Sequence, residues 1–393
     1  MVKKNYKVFI ESVTKTNTFN TDAITTKTPI KTIIIQCLLV FIVSKLLFAY
    51  QYEFLMTNVF KSDASFINTW MHWWDNFWYL RIIEYGYDPK LVNHAGQAAW
   101  AFFPALPITI KFFMIIFNSS AEYTGLIVNQ ISLFLSMIIF YKYCELINKQ
   151  ISGLMAVIFL AFSFENIYYV SVYTESLFLL FSLLAFYNLL KKNYWLASIC
   201  SFPLSAIKFV GFLFIFSIII NKIRNTTLNK KTLLVTFIQL VLSSGGLICF
   251  MIYLHYDLND ALAFYHAQAA WVAPVSILDW LISPIKLLIE TINSASDGYQ
   301  ICALIISMIT FIYLIYERLY EEMFFFVACL APAILRVHLG SFQRFSFGLF
   351  MVYMLFARIN NTSRLLGTLL LAINIVSGTR IITHCKSRQF GKI

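Results

Sequence analysis

The chain has 393 residues, of which 60% are hydrophobic, 18% aromatic and 12% charged. Soluble domains carry about 25% charged residues, so this composition and a mean hydropathy of +0.73 exclude a disordered chain, a fibre and an ordinary soluble enzyme. The formal charge is +11, from 30 Lys and Arg against 19 Asp and Glu; in a membrane protein its placement says more than its sum, and no nucleic-acid partner is expected.

Residues 1–31 form a basic head with Lys3, Lys4, Lys7, Lys15, Lys27 and Lys31, expected in the cytosol. A single membrane domain is expected over 32–385, with a basic tail at 386–393. Span 1 covers 32–54; Lys45 inside it is read as snorkelling to the boundary. The segment 57–119 differs from the rest, with Trp70, Trp73, Trp74, Trp78, Tyr79, Tyr85 and Tyr87 among polar groups. It reads as a large first outer loop, because Trp and Tyr favour the membrane–water boundary. Within it, 75–85 is an interfacial helix with Asp75 as N-cap, stopped by Gly86-Tyr87-Asp88-Pro89. Phe102 to Phe117 is a second element, with Pro104 and Pro107 near its start.

Spans 2, 3 and 4 are expected at 123–144, 151–163 and 176–190, with a polar break at 164–175. Span 5 (194–205) breaks at Pro203, span 6 covers 209–221 and span 7 covers 232–255. Placing 102–117 on the outer surface puts Lys142, Lys149, Lys191, Lys192, Lys222, Arg224, Lys230 and Lys231 in the cytosol, as the positive-inside rule requires. Residues 256–297 return outside, followed by spans at 299–316, 323–337, 345–357 and 365–382. The resulting fold class is an all-α polytopic bundle of about 10–11 transmembrane helices. An odd count leaves the tail outside, against the rule, unless one late segment is re-entrant.

Seven cysteines show no CxxC and no Cys/His pair at metal spacing, and six lie in apolar runs, where they read as small hydrophobes. No cofactor is signalled; a divalent metal is neither signalled nor excluded. The polar outliers gather on the outer side in this topology. They are Asp75, Arg81 and Glu84; Glu165 and Glu175; Lys208; His266, Gln268 and Trp271; and Arg336, His338 and Arg344. Ionisable groups at membrane depth cost a few kcal/mol, so they are partnered or functional. An interfacial aspartate can take a proton from an alcohol. Lysine and arginine can hold a departing phosphate. Trp74 and Tyr79 serve either an interface belt or a sugar platform. Together these groups describe sugar transfer from a lipid phosphate to a hydroxyl.

Trp74-Asp75, Trp78-Tyr79-Leu80-Arg81-Ile82, Gly86-Tyr87 and Ala101-Phe102-Phe103-Pro104 with Pro107 resemble the opening signature of the PIG-V-like mannosyltransferases. Tyr173-Thr174-Glu175-Ser176, Ser205-Ala206-Ile207-Lys208-Phe209-Val210-Gly211 and Ser341-Phe342-Gln343-Arg344-Phe345 are similar to its later segments, in order. The resemblance implies a GT-C-like bundle, a polyprenyl-phosphate sugar donor, Asp75 as catalytic base, and Glu175, Lys208 and Arg344 as site residues. Lys208 stands where the family has arginine, and Asn76 leaves no DxD beside Asp75. The expected partners are a lipid-linked sugar donor, a glycolipid or glycan acceptor and membrane lipids. The substrate-binding set is Trp74, Tyr79, Arg81, Glu84, Glu175, Lys208, Gln268, His338 and Arg344. The absence of a long hydrophilic loop points to a bacterial plasma membrane, and the endoplasmic reticulum also fits. The alternative is a lipid or solute transporter, which predicts internal symmetry and polar groups near the midplane; neither is visible.

Overall fold

The computed structural model describes residues 28–60, 66, 74–87, 96–147, 150–227, 229–270, 298–334 and 342–390, with side chains of the last helix described through Gly378. The described residues are mostly helical. Helix α1 (Ile30–Phe54) continues into a π turn at Leu55–Val59. The short α2 (Asp75–Tyr85), a 3-10 turn at Ala99–Ala101 and α3 (Ala105–Phe117) follow. Then come α4 (Ala121–Ile147), α5 (Gly153–Ala161), α6 (Asn166–Val170), α7 (Glu175–Leu190) and α8 (Tyr194–Ile207). After a 3-10 turn at Phe209–Leu213 the chain forms α9 (Phe214–Asn225), α10 (Lys230–Leu258) and α11 (Ala263–His266), which leads into a 3-10 turn at Ala267–Ala270. The last helices are α12 (Gly298–Tyr316), α13 (Tyr320–Ile334), α14 (Phe342–Phe347), α15 (Phe350–Thr362) and α16 (Arg364–Phe390).

Three helical segments, Ile30–Val59, Ala121–Ile147 and Lys230–Leu258, are long and apolar enough to cross a membrane. Shorter apolar helices include α3, α7 and α8. The pattern of burial separates two kinds of apolar helix. In α7 and α15 apolar side chains are covered on nearly every side, including Leu179, Leu183 and Phe186 and the run Phe350 to Ala357. In α1, α10 and α12 one face stays open and apolar, as at Ile35, Leu39 and Leu46, Leu234 and Phe237, and Met308 and Ile312. Wide exposed apolar faces suit a lipid surrounding.

Helix α8 packs between α7 and α10. A Cβ on Gly246 would lie 2.3 Å from the Phe202 carbonyl oxygen, so the two backbones touch there. The approach lets Ser201 Oγ donate to Ser243 Oγ at 2.6 Å, and Leu247 N to Ser205 Oγ at 3.2 Å. Small residues at such crossings are how helices associate without a hydrophobic driving force. A Gly246→Leu variant is expected to push α8 off α10, at about 1–3 kcal/mol or more, read as a lower thermal midpoint in detergent. Pro203 lies inside α8 rather than ending it. The expected break falls later, at Lys208, whose backbone is extended (φ −146°, ψ 145°). The chain then folds back so closely that a Cβ on Gly211 would lie 2.1 Å from the Leu204 carbonyl oxygen.

The break between α5 and α7 is buried, and its carbonyls need partners that water does not supply. Two amides of α4 provide them. Asn129 Nδ2 donates to the carbonyls of Ser171 and of Tyr173, the latter at 3.0 Å, and Gln130 Nε2 donates to Tyr169 O at 2.9 Å. Ser176 Oγ also donates to Tyr169 O, at 3.1 Å. An Asn129→Leu variant keeps the volume and orphans both carbonyls. It is expected to cost about 1–3 kcal/mol for each carbonyl left unpaired, and thermal unfolding of the detergent-solubilised protein measures the loss.

Candidate active site

Asp75 opens α2 as its first residue. The N-cap is Trp74, with φ +56° and no side-chain cap bond, so the expectation that Asp75 caps the helix is corrected. A positive φ on a bulky residue is strained, and here it turns the chain so that Asp75 faces the bundle. Asp75 N donates to the Tyr173 hydroxyl at 3.3 Å. Its carboxylate does not serve the helix: Oδ2 accepts from Arg344 Nη1 at 2.5 Å. The Arg344 Nε donates to Glu175 Oε1 at 2.7 Å. Lys208 Nζ donates to the same oxygen at 2.9 Å.

Two acids and two cations from four separate elements thus form one chain, Asp75–Arg344–Glu175–Lys208. Glu175 is the first residue of α7, where the helix dipole favours an anion. It is 2% exposed, whereas the side chain of Asp75 is 26% exposed; Asp75 is the open end of the cluster and Glu175 its floor. Aromatic rings line the cations. The Arg344 guanidinium lies 4.7 Å from the Tyr173 ring centre and 5.5 Å from that of Tyr168. Lys208 Nζ lies 5.2 Å from Phe178 and 5.8 Å from Phe345. Rings of this kind hold a cation without neutralising it, leaving it able to attract an anion.

The other sequence candidates divide. Tyr79 is buried beside Asp75, and burial together with the Asp75 charge pushes its phenol above its ordinary range. Trp74 is 47% exposed next to Asp75. Arg81 lies between the rings of Phe77 and Tyr85, at 5.2 and 5.4 Å, and Glu84 is exposed on the same helix. Neither joins the charge cluster, and among the described residues no ion pair links them. Gln268 is half-buried on the Ala267–Ala270 turn, away from the cluster's hydrogen bonds. His266 pairs with Asp260 at 2.7 Å on an exposed turn. His338, Arg336 and Trp271 lie outside the described residues. Lys45 does not snorkel: Nζ turns inward and donates to Asn166 Oδ1 at 2.6 Å.

Sequence reasoning quoted Tyr173 only within a motif and passed over Tyr168, both of which face Arg344, and it missed Asn129 and Gln130, which hold the break. The last pair had a readable signal, two adjacent amides inside the apolar α4. Glu165 was named without a role; it is 2% exposed and neither carboxyl oxygen has a hydrogen-bond partner.

The family described as Mannosyltransferase (PIG-V) matches residues 25–299. That stretch contains Asp75, Glu175 and Lys208 and stops short of Arg344, which is joined to Asp75 and Glu175 by hydrogen bonds. No curated protein matches the chain. With more than half of its length matched, the chain belongs to the PIG-V mannosyltransferase family.

Proposed function

We propose that the protein is a multi-pass membrane mannosyltransferase of GT-C type, with its N-terminus in the cytosol. It takes mannose from a polyprenyl-phosphate donor and transfers it, with inversion, to a hydroxyl of a glycolipid or glycan on the extracytoplasmic side. A bacterial plasma membrane is the favoured location. The observation that carries this reading is the linked set Asp75–Arg344–Glu175–Lys208.

In this mechanism the donor phosphate sits against Arg344 and Lys208. Arg344 has donors to spare beyond the bond to Glu175, so Nη1 passes from Asp75 to a phosphate oxygen while Nε stays on Glu175. Asp75, released, accepts the proton of the acceptor hydroxyl. The acceptor oxygen forms the new bond to the anomeric carbon, and the bond from that carbon to the phosphate oxygen breaks. Its electron pair leaves with the polyprenyl phosphate, which gains one negative charge as Asp75 loses one. Arg344 lies between the two and stabilises the charge as it moves. Trp74, beside Asp75, supplies an exposed ring on which a sugar can stack.

The test is transfer of radiolabelled mannose from polyprenyl phosphate in membranes carrying the wild type or Asp75→Asn. Loss of transfer at equal expression supports the reading. Wild-type turnover in the variant removes Asp75 as base.

A further inference from the structure

We infer that Glu165 is a positioning residue of the donor site: a buried carboxyl in the segment fastened to the helix that carries Arg344, where a third negative charge would make the cluster net negative and shut out the donor phosphate. The inference rests on the proposed placement of that phosphate against Arg344 and Lys208.

Glu165 lies in the break between α5 and α7, and its carboxyl is buried with both oxygens unpartnered. The segment around it is fastened to α14, the short helix that carries Arg344. Phe164 and Phe347 meet edge to face at 4.2 Å. The Tyr353 hydroxyl lies 2.7 Å from Ser163 Oγ and 2.6 Å from Phe347 O. The Tyr169 hydroxyl donates to Phe347 O at 3.0 Å, and Glu165 N donates to Ser163 Oγ at 3.2 Å. The backbone on either side of Glu165 is thus fastened to α14, the helix that carries Arg344.

The groups around it are known. Arg344 of α14 and Glu175 of α7 act on it directly, and Tyr169 of α6 and Tyr353 of α15 feel its charge. Lys208 and Asp75 stand one contact further, through Glu175 and Arg344. Lys45 of α1 is bound to the next residue, Asn166. Burial pushes the Glu165 carboxyl up to about 8, with Arg344 opposing and Glu175 adding to the rise. Below that pH the group is protonated, and Asp75 and Glu175 balance Arg344 and Lys208. Above it a third acid enters a closed space with two cations, and the anion that must then bind there is repelled. A buried glutamate with nothing to bond is expensive as a mere filler, since an apolar residue would pack as well. Its value to the site lies in being near Arg344 without taking one of its hydrogen bonds.

The experiment is the pH dependence of KM for dolichyl-phosphate mannose from pH 6 to 9, in membranes or detergent, for wild type, Glu165→Gln and Glu165→Met. The wild-type KM is expected to rise about tenfold between pH 7 and 9, the slope of one proton lost. In both variants KM at pH 9 stays within about twofold of the same variant's value at pH 7, because neither side chain can ionise. Two variants of different polarity separate this effect from a local packing defect, which would lower kcat at every pH. A flat wild-type profile, or variants that follow the wild-type rise, overturns the inference and leaves Asp75 as base untouched. Saturation by donor at no pH, in a wild type that folds, overturns the donor placement itself and the inference with it.

Discussion

Asp75→Asn is expected to lower mannosyl transfer by about 10²–10⁴-fold, the usual contribution of a general base, and at the same time to tighten donor binding severalfold. The second half of this expectation comes from geometry. Asp75 holds Arg344 Nη1 at 2.5 Å, so in the proposed mechanism the carboxylate and the donor phosphate compete for one guanidinium. An asparagine is isosteric and uncharged; it cannot accept a proton, and it no longer competes. Turnover and affinity should therefore move in opposite directions, which a damaged site would not produce. Direct binding of labelled donor to purified protein, measured beside single-turnover transfer, reads both. The same competition predicts an order of events: donor first, then release of Asp75, then activation of the acceptor hydroxyl.

Arg344→Ala is expected to be the most damaging single change. Among the described residues Arg344 is the one bonded to both acids of the site, through Nη1 and Nε. Its removal leaves Glu175 with Lys208 alone, and Asp75 with no cation. Glu175 keeps one cation of two and Asp75 is partly exposed, so the loss of stability is about 1–3 kcal/mol, the cost of a polar group left without its partner. Loss of a charge-stabilising donor at the reacting centre lowers kcat by about 10²–10³-fold. Arg344→Lys restores charge but not the planar fork that reaches two acids at once. It should recover donor binding better than turnover. A double variant of Asp75→Asn with Arg344→Ala should lose little more than the worse single variant, since residues acting as a unit are not additive. Initial rates of the four proteins, normalised to folded protein by thermal unfolding, give the answer.

How much of this was visible in the chain depends on range. The bounds of the helix over 75–85 were readable, since a polar start, an apolar face and a glycine stop all lie within a dozen residues. The break before Glu175 was readable because polar residues interrupt an apolar run. What the local pattern lacks is direction. Asp75 and Arg344 are 269 residues apart, and Glu175 and Arg344 are 169 apart; no periodicity states that one guanidinium will join them. Asp75 looked like a cap because caps and ligands use the same residue types. Lys45 looked like a snorkelling lysine because its partner, Asn166, lies 121 residues on. Pro203 looked like a stop, yet α8 is held by α7 and α10 on both sides and continues through it. Glu165 is the clearest case: its meaning lies in the absence of a hydrogen-bond partner, and only packing reveals that.

In the proposed mechanism a donor phosphate takes Arg344 from Asp75. A structure of the Asp75→Asn protein with dolichyl-phosphate mannose, set beside one of the wild type with the product dolichyl phosphate, tests it most directly. Phosphate oxygens are expected within hydrogen-bond reach of Arg344 Nη1 and Lys208 Nζ in both, with Arg344 Nε still on Glu175. In the product complex Asp75 stands free of Arg344 and faces the vacated sugar site. Phosphate bound elsewhere, with the Asp75–Arg344 pair intact, would contradict it.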